Sequence, residues 1–166
     1  MSVRDARLED AGAIATVHVR TWQHAYAHIF PAAALAGISL DARARHWKRI
    51  LTDVPPRRHQ LVAEDEAGIR GFASGGPAEE DDELGELYAI YVLPEAWGAG
   101  NGRELMVESL ERLRGEGFRE AILWVLEDNP RTRRFYEQGG WRLDGEPVEQ
   151  THLETPVSVA RYRIAL

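Results

Sequence analysis

Glu86-Leu87-Tyr88-Ala89-Ile90-Tyr91-Val92-Leu93-Pro94-Glu95-Ala96-Trp97-Gly98-Ala99-Gly100-Asn101-Gly102-Arg103 joins three kinds of local structure in eighteen residues. Leu87 to Leu93 is apolar and aromatic throughout, which predicts a buried strand. Pro94 has no N–H to give a ladder and ends it. Glu104 to Leu113 is rich in helix formers, with Met106, Leu110 and Leu113 on one face. Gly98, Gly100 and Gly102 therefore precede and open a helix. Backbone N–H groups at a helix N-terminus lack partners, and the helix dipole favours negative charge there, so the loop suits phosphate oxygens. The dinucleotide pattern G-x-G-x-x-G fails, because Arg103 stands where its last glycine belongs. The Walker pattern also fails, because no Lys follows the glycines. A plain tight turn remains the alternative.

Composition narrows the classes. A chain of 166 residues with 44% hydrophobic and 28% charged residues is expected to form one globular domain spanning 1–166. It has no cysteine, so disulfides, thiolate metal sites and cysteine nucleophiles are excluded. A net charge of −7 argues against nucleic acid as a partner. No apolar run approaches a membrane span, and the N-terminus lacks an apolar signal core; the expected location is the cytoplasm.

In chain order, Ser2 to Arg7 reads as an edge strand and Glu9-Asp10 as the start of a helix with Ile14, Val17, Thr21 and Ala25 inward. Pro31 opens a short Ala-rich turn, and Ser39 caps a helix to Leu51 with Leu40, Ala44, Trp47 and Leu51 on one face. His59–Glu64 and Ile69–Ser74 form a hairpin that Gly75-Gly76-Pro77 ends. The acidic run 79–83 reads as a solvated loop or as an attractor of cationic amines. Phe118–Leu126 is a strand, Pro130 begins a helix ending at Gly139-Gly140, and Trp141 starts another strand. Residues 144–156 read mostly as loop, and Val157–Leu166 as the last strand. This order argues a mixed α/β (α+β) sheet with helices on both faces.

A second motif follows the strand at 121–126: Asn129-Pro130-Arg131-Thr132-Arg133-Arg134-Phe135-Tyr136-Glu137-Gln138-Gly139-Gly140-Trp141. Together the two stretches resemble the GNAT superfamily of N-acetyltransferases. Its cofactor loop reads [Q/R]-x-x-G-x-[G/A] after a strand ending V-x-P, matched here by Trp97, Gly100 and Gly102 after Val92 and Pro94. Its other signature, close to N-x-x-A-x-x-[F/L]-Y-x-x-x-G-F, is matched by Asn129, Thr132, Phe135, Tyr136, Gly140 and Trp141. Trp97 departs from the usual Gln or Arg, and Thr132 from the usual Ala. The resemblance implies a mostly antiparallel central sheet whose strands splay at an acetyl-CoA site.

It further implies a role for several residues. Ile90, Tyr91 and Val92 contact the cofactor through a bulged strand's backbone, and Gly98, Ala99, Gly100, Asn101, Gly102 and Arg103 hold its phosphates. Asn129 touches the cofactor or simply caps its helix. Tyr136 protonates the departing thiolate, a task a neutral phenol suits, or packs a helix onto the sheet. Glu86 accepts the amine's proton, directly or through water, or is an exposed strand-end carboxylate. By its own aromatic content, apart from the resemblance, the segment with Trp22, Tyr26, His28 and Phe30 reads as the wall of an acceptor pocket or as core, with Trp22 and Tyr26 on one helix face. The histidines show no metal spacing, and no metal is expected. The expected activity is direct transfer of acetyl from acetyl-CoA to a primary amine of a small molecule. A protein or peptide acceptor and a non-catalytic acyl-CoA-binding module are the alternatives, and a homodimer is admitted as an assembly.

Overall fold

The computed structural model describes residues 1–166. An edge strand β1 (Ser2–Asp5) leads through a 3₁₀ turn at Leu8–Asp10 into α1 (Ala11–Ala25), α2 (Ala32–Ala36) and α3 (Leu40–Thr52). The hairpin β2 (His59–Asp65) and β3 (Gly68–Pro77) follows, then β4 (Gly85–Val92), a 3₁₀ turn at Pro94–Ala96 and α4 (Asn101–Gly115). The chain closes with β5 (Glu120–Leu126), α5 (Pro130–Gln138), β6 (Arg142–Leu143), β7 (Val148–His152) and β8 (Thr155–Ala165). The sheet runs β1-β2-β3-β4-β5-β8-β6, with β7 also on β8.

Every neighbouring pair is antiparallel except β4 and β5, which run parallel and meet only at Gly85–Ala121 and Glu86–Ile122. Beyond Glu86 the two strands part, and the edge of β4 facing β5 is unpaired. The splay lies in mid-sheet, where free backbone donors and acceptors are costly unless something fills them.

β2 and β3 are buried over nearly continuous runs, which requires helices on both faces. One apolar cluster joins Ile14 and Val17 of α1 and Trp47 of α3 to Leu61 and Phe72. Another joins Met106 and Leu113 of α4 and Tyr136 of α5 to Leu87, Leu123 and Tyr162. Ser39 caps α3, its Oγ accepting from the Ala42 N–H at 3.1 Å.

Four local expectations are corrected. Leu40 begins α3 and is 45% exposed, so the buried face starts at Ala44. Gly75-Gly76-Pro77 does not end β3 but pairs with Leu87, Glu86 and Gly85. These glycines make room: a Cβ on Gly75 would sit 2.6 Å from His59 Cε1, and one on Gly76 would sit 2.6 Å from Arg58 Cγ. Residues 148–152, read as loop, form β7; its sequence VEQTH is polar and its one apolar residue, Val148, is exposed, so no hydrophobic period marks it. The last strand starts at Thr155 rather than Val157, because β7 and β8 close in a two-residue hairpin at Leu153-Glu154.

Candidate active site

The parting of β4 and β5 organises the site. Tyr88 is the extra residue of a bulge: Ser74 pairs with Ala89 and Gly75 with Leu87, leaving Tyr88 unmatched. The bulge reverses the alternation of the strand, and Tyr91 turns toward α1, stacked on His18 with ring centroids 5.1 Å apart. Ile90, Tyr91 and Val92 lie along the unpaired edge. Val92 is partly spoken for, because its carbonyl accepts from Trp97 Nε1 at 2.8 Å and from Thr21 Oγ1 at 3.2 Å.

The glycine loop has the shape of an anion cradle. Gly98 and Gly100 have φ of +81° and +90°, which favour glycine, and Gly100 forms the N-cap of α4 with no side chain over the helix end. The first helical bond is Glu104 N–H to Gly100 O, so the amides of Asn101, Gly102 and Arg103 are free of intrahelical partners. Gly98, Ala99, Gly100 and Arg103 are exposed. Asn101 is different: its side chain is buried and donates to Ala96 O at 3.1 Å, so only its backbone faces the cradle. An added Cβ on Gly102 would press on the Phe135 ring at 3.4 Å, which ties the loop to α5.

Trp97, where a Gln or Arg was expected, serves as a platform. The Arg131 guanidinium lies over its indole at 3.4 Å from the ring centre, and His24 meets it edge-on at 5.1 Å. Burial lowers the Arg131 pKa. A cation from α5 thus stands on the residue that opens the loop.

Asn129 caps α5, its Oδ1 accepting from the Thr132 N–H at 3.3 Å. That leaves its side-chain NH₂ for another partner. Tyr136 is 6% exposed. Burial first, and the neighbouring Tyr91 second, push its phenol well above the ordinary value, so it is protonated at any physiological pH. Tyr26, whose phenol is raised by burial and then by Tyr91, feels Tyr136 as well. Trp22 meets Tyr26 edge-on at 4.9 Å. Burial raises the Tyr91 phenol, an effect that Tyr26 and Trp22 partly offset, and Trp22 Nε1 is buried without a hydrogen-bond partner. Trp22, Tyr26, Tyr91 and Tyr136 are therefore one group. Tyr91's side chain was not foreseen as part of it; only the strand's backbone was.

Glu86 stands apart, at the root of the fork. Burial, then the nearby Glu80, raises its carboxyl to about 6. Its charge is felt by Tyr88, not by Tyr136. The acidic run is partly anchored, with Glu80 paired to Arg161 at 2.8 Å. A depression of about 450 Å³ lies there among charged side chains and contains none of the phenols. A smaller cavity of about 180 Å³ adjoins Trp22 and His18. No cluster of three or more metal-ligating side chains is present, and no helix is long and apolar enough to cross a membrane.

Residues 13–141 match the acetyltransferase (GNAT) family. The chain belongs to that family and is an N-acetyltransferase. It is 41% identical over 134 residues to the uncharacterized N-acetyltransferase YuaI of Bacillus subtilis, covering 78% of this chain and 74% of that one. Among solved structures, a ribosomal-protein-alanine N-acetyltransferase from Brucella melitensis superposes with TM-score 0.78 at 23% identity over the whole of both chains. A phosphinothricin acetyltransferase from Sinorhizobium meliloti, solved in complex with AcCoA, gives 0.75 at 23% identity, covering 99% of this chain and 88% of the other. At that identity the likeness is one of fold.

Proposed function

We propose that the protein transfers an acetyl group from acetyl-CoA directly to the primary amine of a small molecule. The observation that carries this reading is the unpaired edge of β4, flanked by an exposed glycine cradle at one end and by the neutral Tyr136 phenol nearby. The residues present suit acetyl-CoA. Free amides from Gly98 to Arg103 take its phosphates, and Arg131, propped on Trp97, replaces the cationic or amide side chain missing at position 97. The β4 edge at Ile90 and Tyr91 and the side-chain NH₂ of Asn129 supply further polar partners. When bound, acetyl-CoA supplies an acetyl group activated as a thioester.

The chain's own groups then divide the proton work. Glu86, with a carboxyl near 6, is mostly ionised at neutral pH and accepts the proton the amine loses, through water from the root of the fork. Tyr136 holds a proton for the departing sulfur. Main-chain N–H groups of the β4 edge donate to the carbonyl oxygen as it gains charge. With no cysteine, the protein offers no thiol nucleophile for a covalent route. The size of the cavity beside Trp22 favours a small acceptor over a folded protein surface.

The absence of cysteine also makes the test clean, because every thiol detected is released CoA. Incubation with acetyl-CoA and a broad amine panel, read with a thiol-reactive dye, should give amine-dependent CoA release. Tight binding of acetyl-CoA with no release by any amine or peptide would overturn the enzymatic reading in favour of a binding module.

A further inference from the structure

We infer that the acceptor carries an anionic group, most simply a carboxylate, and that Arg43 binds it in the 180 Å³ cavity between α1, α3 and the β7–β8 hairpin. This rests on the acetyl-transfer reading above and names the substrate class of that site.

The cavity is lined by His18, Val19, Trp22, Ile38, Arg43, His152 and Leu153, with no carboxylate among them, although the protein as a whole carries −7. Arg43 is half-buried and makes no ion pair or side-chain hydrogen bond. Its charge nonetheless reaches inward: it adds to burial in depressing His18, and at Tyr91 it partly opposes the burial that raises the phenol. Burial, then Arg43, hold His18 near 3, so it is a neutral imidazole. Trp47 Nε1 donates to its Nδ1 at 3.3 Å, which assigns the ring proton to Nε2, a donor. A guanidinium and a neutral donor facing an acid-free cavity form a site for an anion, and the planar fork of Arg matches a carboxylate.

The cavity also has a direction. Trp22 lines it and belongs to the phenol group, and Tyr91 stacks on His18 while its charge is felt by Tyr136. An acceptor anchored by its anion at Arg43 would extend past Trp22 with its amine toward the parted strands.

The hairpin tip supports a built wall. Leu153 and Glu154 have φ of +47° and +58°, the left-handed turn that Asn-Gly usually fills. A leucine held there is strained, and it lines the cavity and packs against the cluster of Phe30, Leu35, Val157 and Val159.

The test uses matched acceptors: small amino acids, their carboxamides and the corresponding amines lacking the carboxyl group. Each is assayed by CoA release and by calorimetric binding, with wild type, Arg43→Gln and Arg43→Lys. A charge-assisted contact predicts kcat/KM for the acids about 10–100-fold above that for the amides. Arg43→Gln should raise KM for the acids by at least ~10-fold, with kcat little changed and the amides unaffected; Arg43→Lys should restore part of the loss. Equal use of acids and amides by wild type, or an equal loss for both in Arg43→Gln, overturns the inference. Arg43-dependent binding of the acids without any CoA release would uphold the anion site and refute acetyl transfer instead. Absence of both binding and release overturns both.

Discussion

His59 offers a test of the fold's electrostatics that leaves the proposed chemistry alone. It sits in β2, 6% exposed, with Nε2 buried and unpartnered. Burial, then the nearby Arg112, lower its pKa from 6.5 to about 4. In the unfolded chain the ring protonates near 6.5, while in the fold it stays neutral down to about 4. The unfolded state thus binds more protons in this window, and stability falls as pH drops below 6.5. Between pH 7 and 5 the linkage relation gives a loss of about 2 kcal/mol from this one residue. His18, held near 3 by burial and Arg43, adds about 2 kcal/mol more over the same interval. Glu86 opposes them. Its carboxyl is raised to about 6, so the fold gains its proton first and recovers about 1 kcal/mol on acidification. The imidazoles win, and a net loss of about 3 kcal/mol is a large share of a typical total stability. Urea unfolding at the two pH values measures this directly. His59→Gln should shrink the pH 7-to-5 loss by about 2 kcal/mol, whatever its effect on stability at pH 7. An undiminished loss in the variant would refute the account.

Four further predictions concern the site. Tyr136→Phe removes only a hydroxyl, so acetyl-CoA affinity should persist while kcat falls ~10²–10⁴-fold; a value within twofold of wild type, with chemistry rate-limiting, would remove Tyr136 from the proton path. The pH profile of kcat should fall on the acid side with a midpoint near the Glu86 value of about 6, and Glu86→Gln should lower the plateau and abolish that limb. Gly100→Val combines a side chain with φ of +90° at the mouth of the cradle and should weaken acetyl-CoA at least ~10-fold by calorimetry. Arg131→Ala should weaken acetyl-CoA several-fold with a reduced salt dependence, whereas Trp97→Gln should also lower the melting temperature, because Trp97 holds Val92 O as well as Arg131.

Much of this was legible in the sequence because it depends on local chemistry. Glycines at 98, 100 and 102 after a strand and before a helix describe the cradle directly. Pro130 after Asn129 describes a capped helix start, and the capping bond is present. The final fork was legible only by resemblance, since strand pairing is a long-range property. Other features left no trace. β7 is a polar edge strand without hydrophobic alternation. Gly75 and Gly76 read as a strand end because their real reason, the ring of His59, the hydroxyl of Tyr88 and the stem of Arg58, lies on other strands or loops. Arg43 reads as one more surface arginine on a helix, and only the folded chain shows that no carboxylate shares its cavity.

The placement of Tyr91 shows how little separates the two faces of this sheet. Leu87 and Tyr91 are four residues apart on one strand, so strict alternation would put both on the same side. Leu87 packs with Met106 and Leu113 of α4, while Tyr91 stacks on His18 of α1 and meets Phe72 at 5.5 Å. The unmatched Tyr88 accounts for the difference, because one extra residue inverts every side chain beyond it. The same bulge bends β4 after Glu86, where its pairing with β5 stops. One irregularity therefore opens the backbone edge proposed for the cofactor and carries a phenol to the α1 side of the sheet. Gly75 faces it from β3, with the Glu86 carbonyl 3.0 Å from where a Cβ would stand. A side chain there would crowd both the His59 ring and the strand at the point where its direction changes. The glycine that reads as a strand terminator is the residue that leaves β4 room to bend.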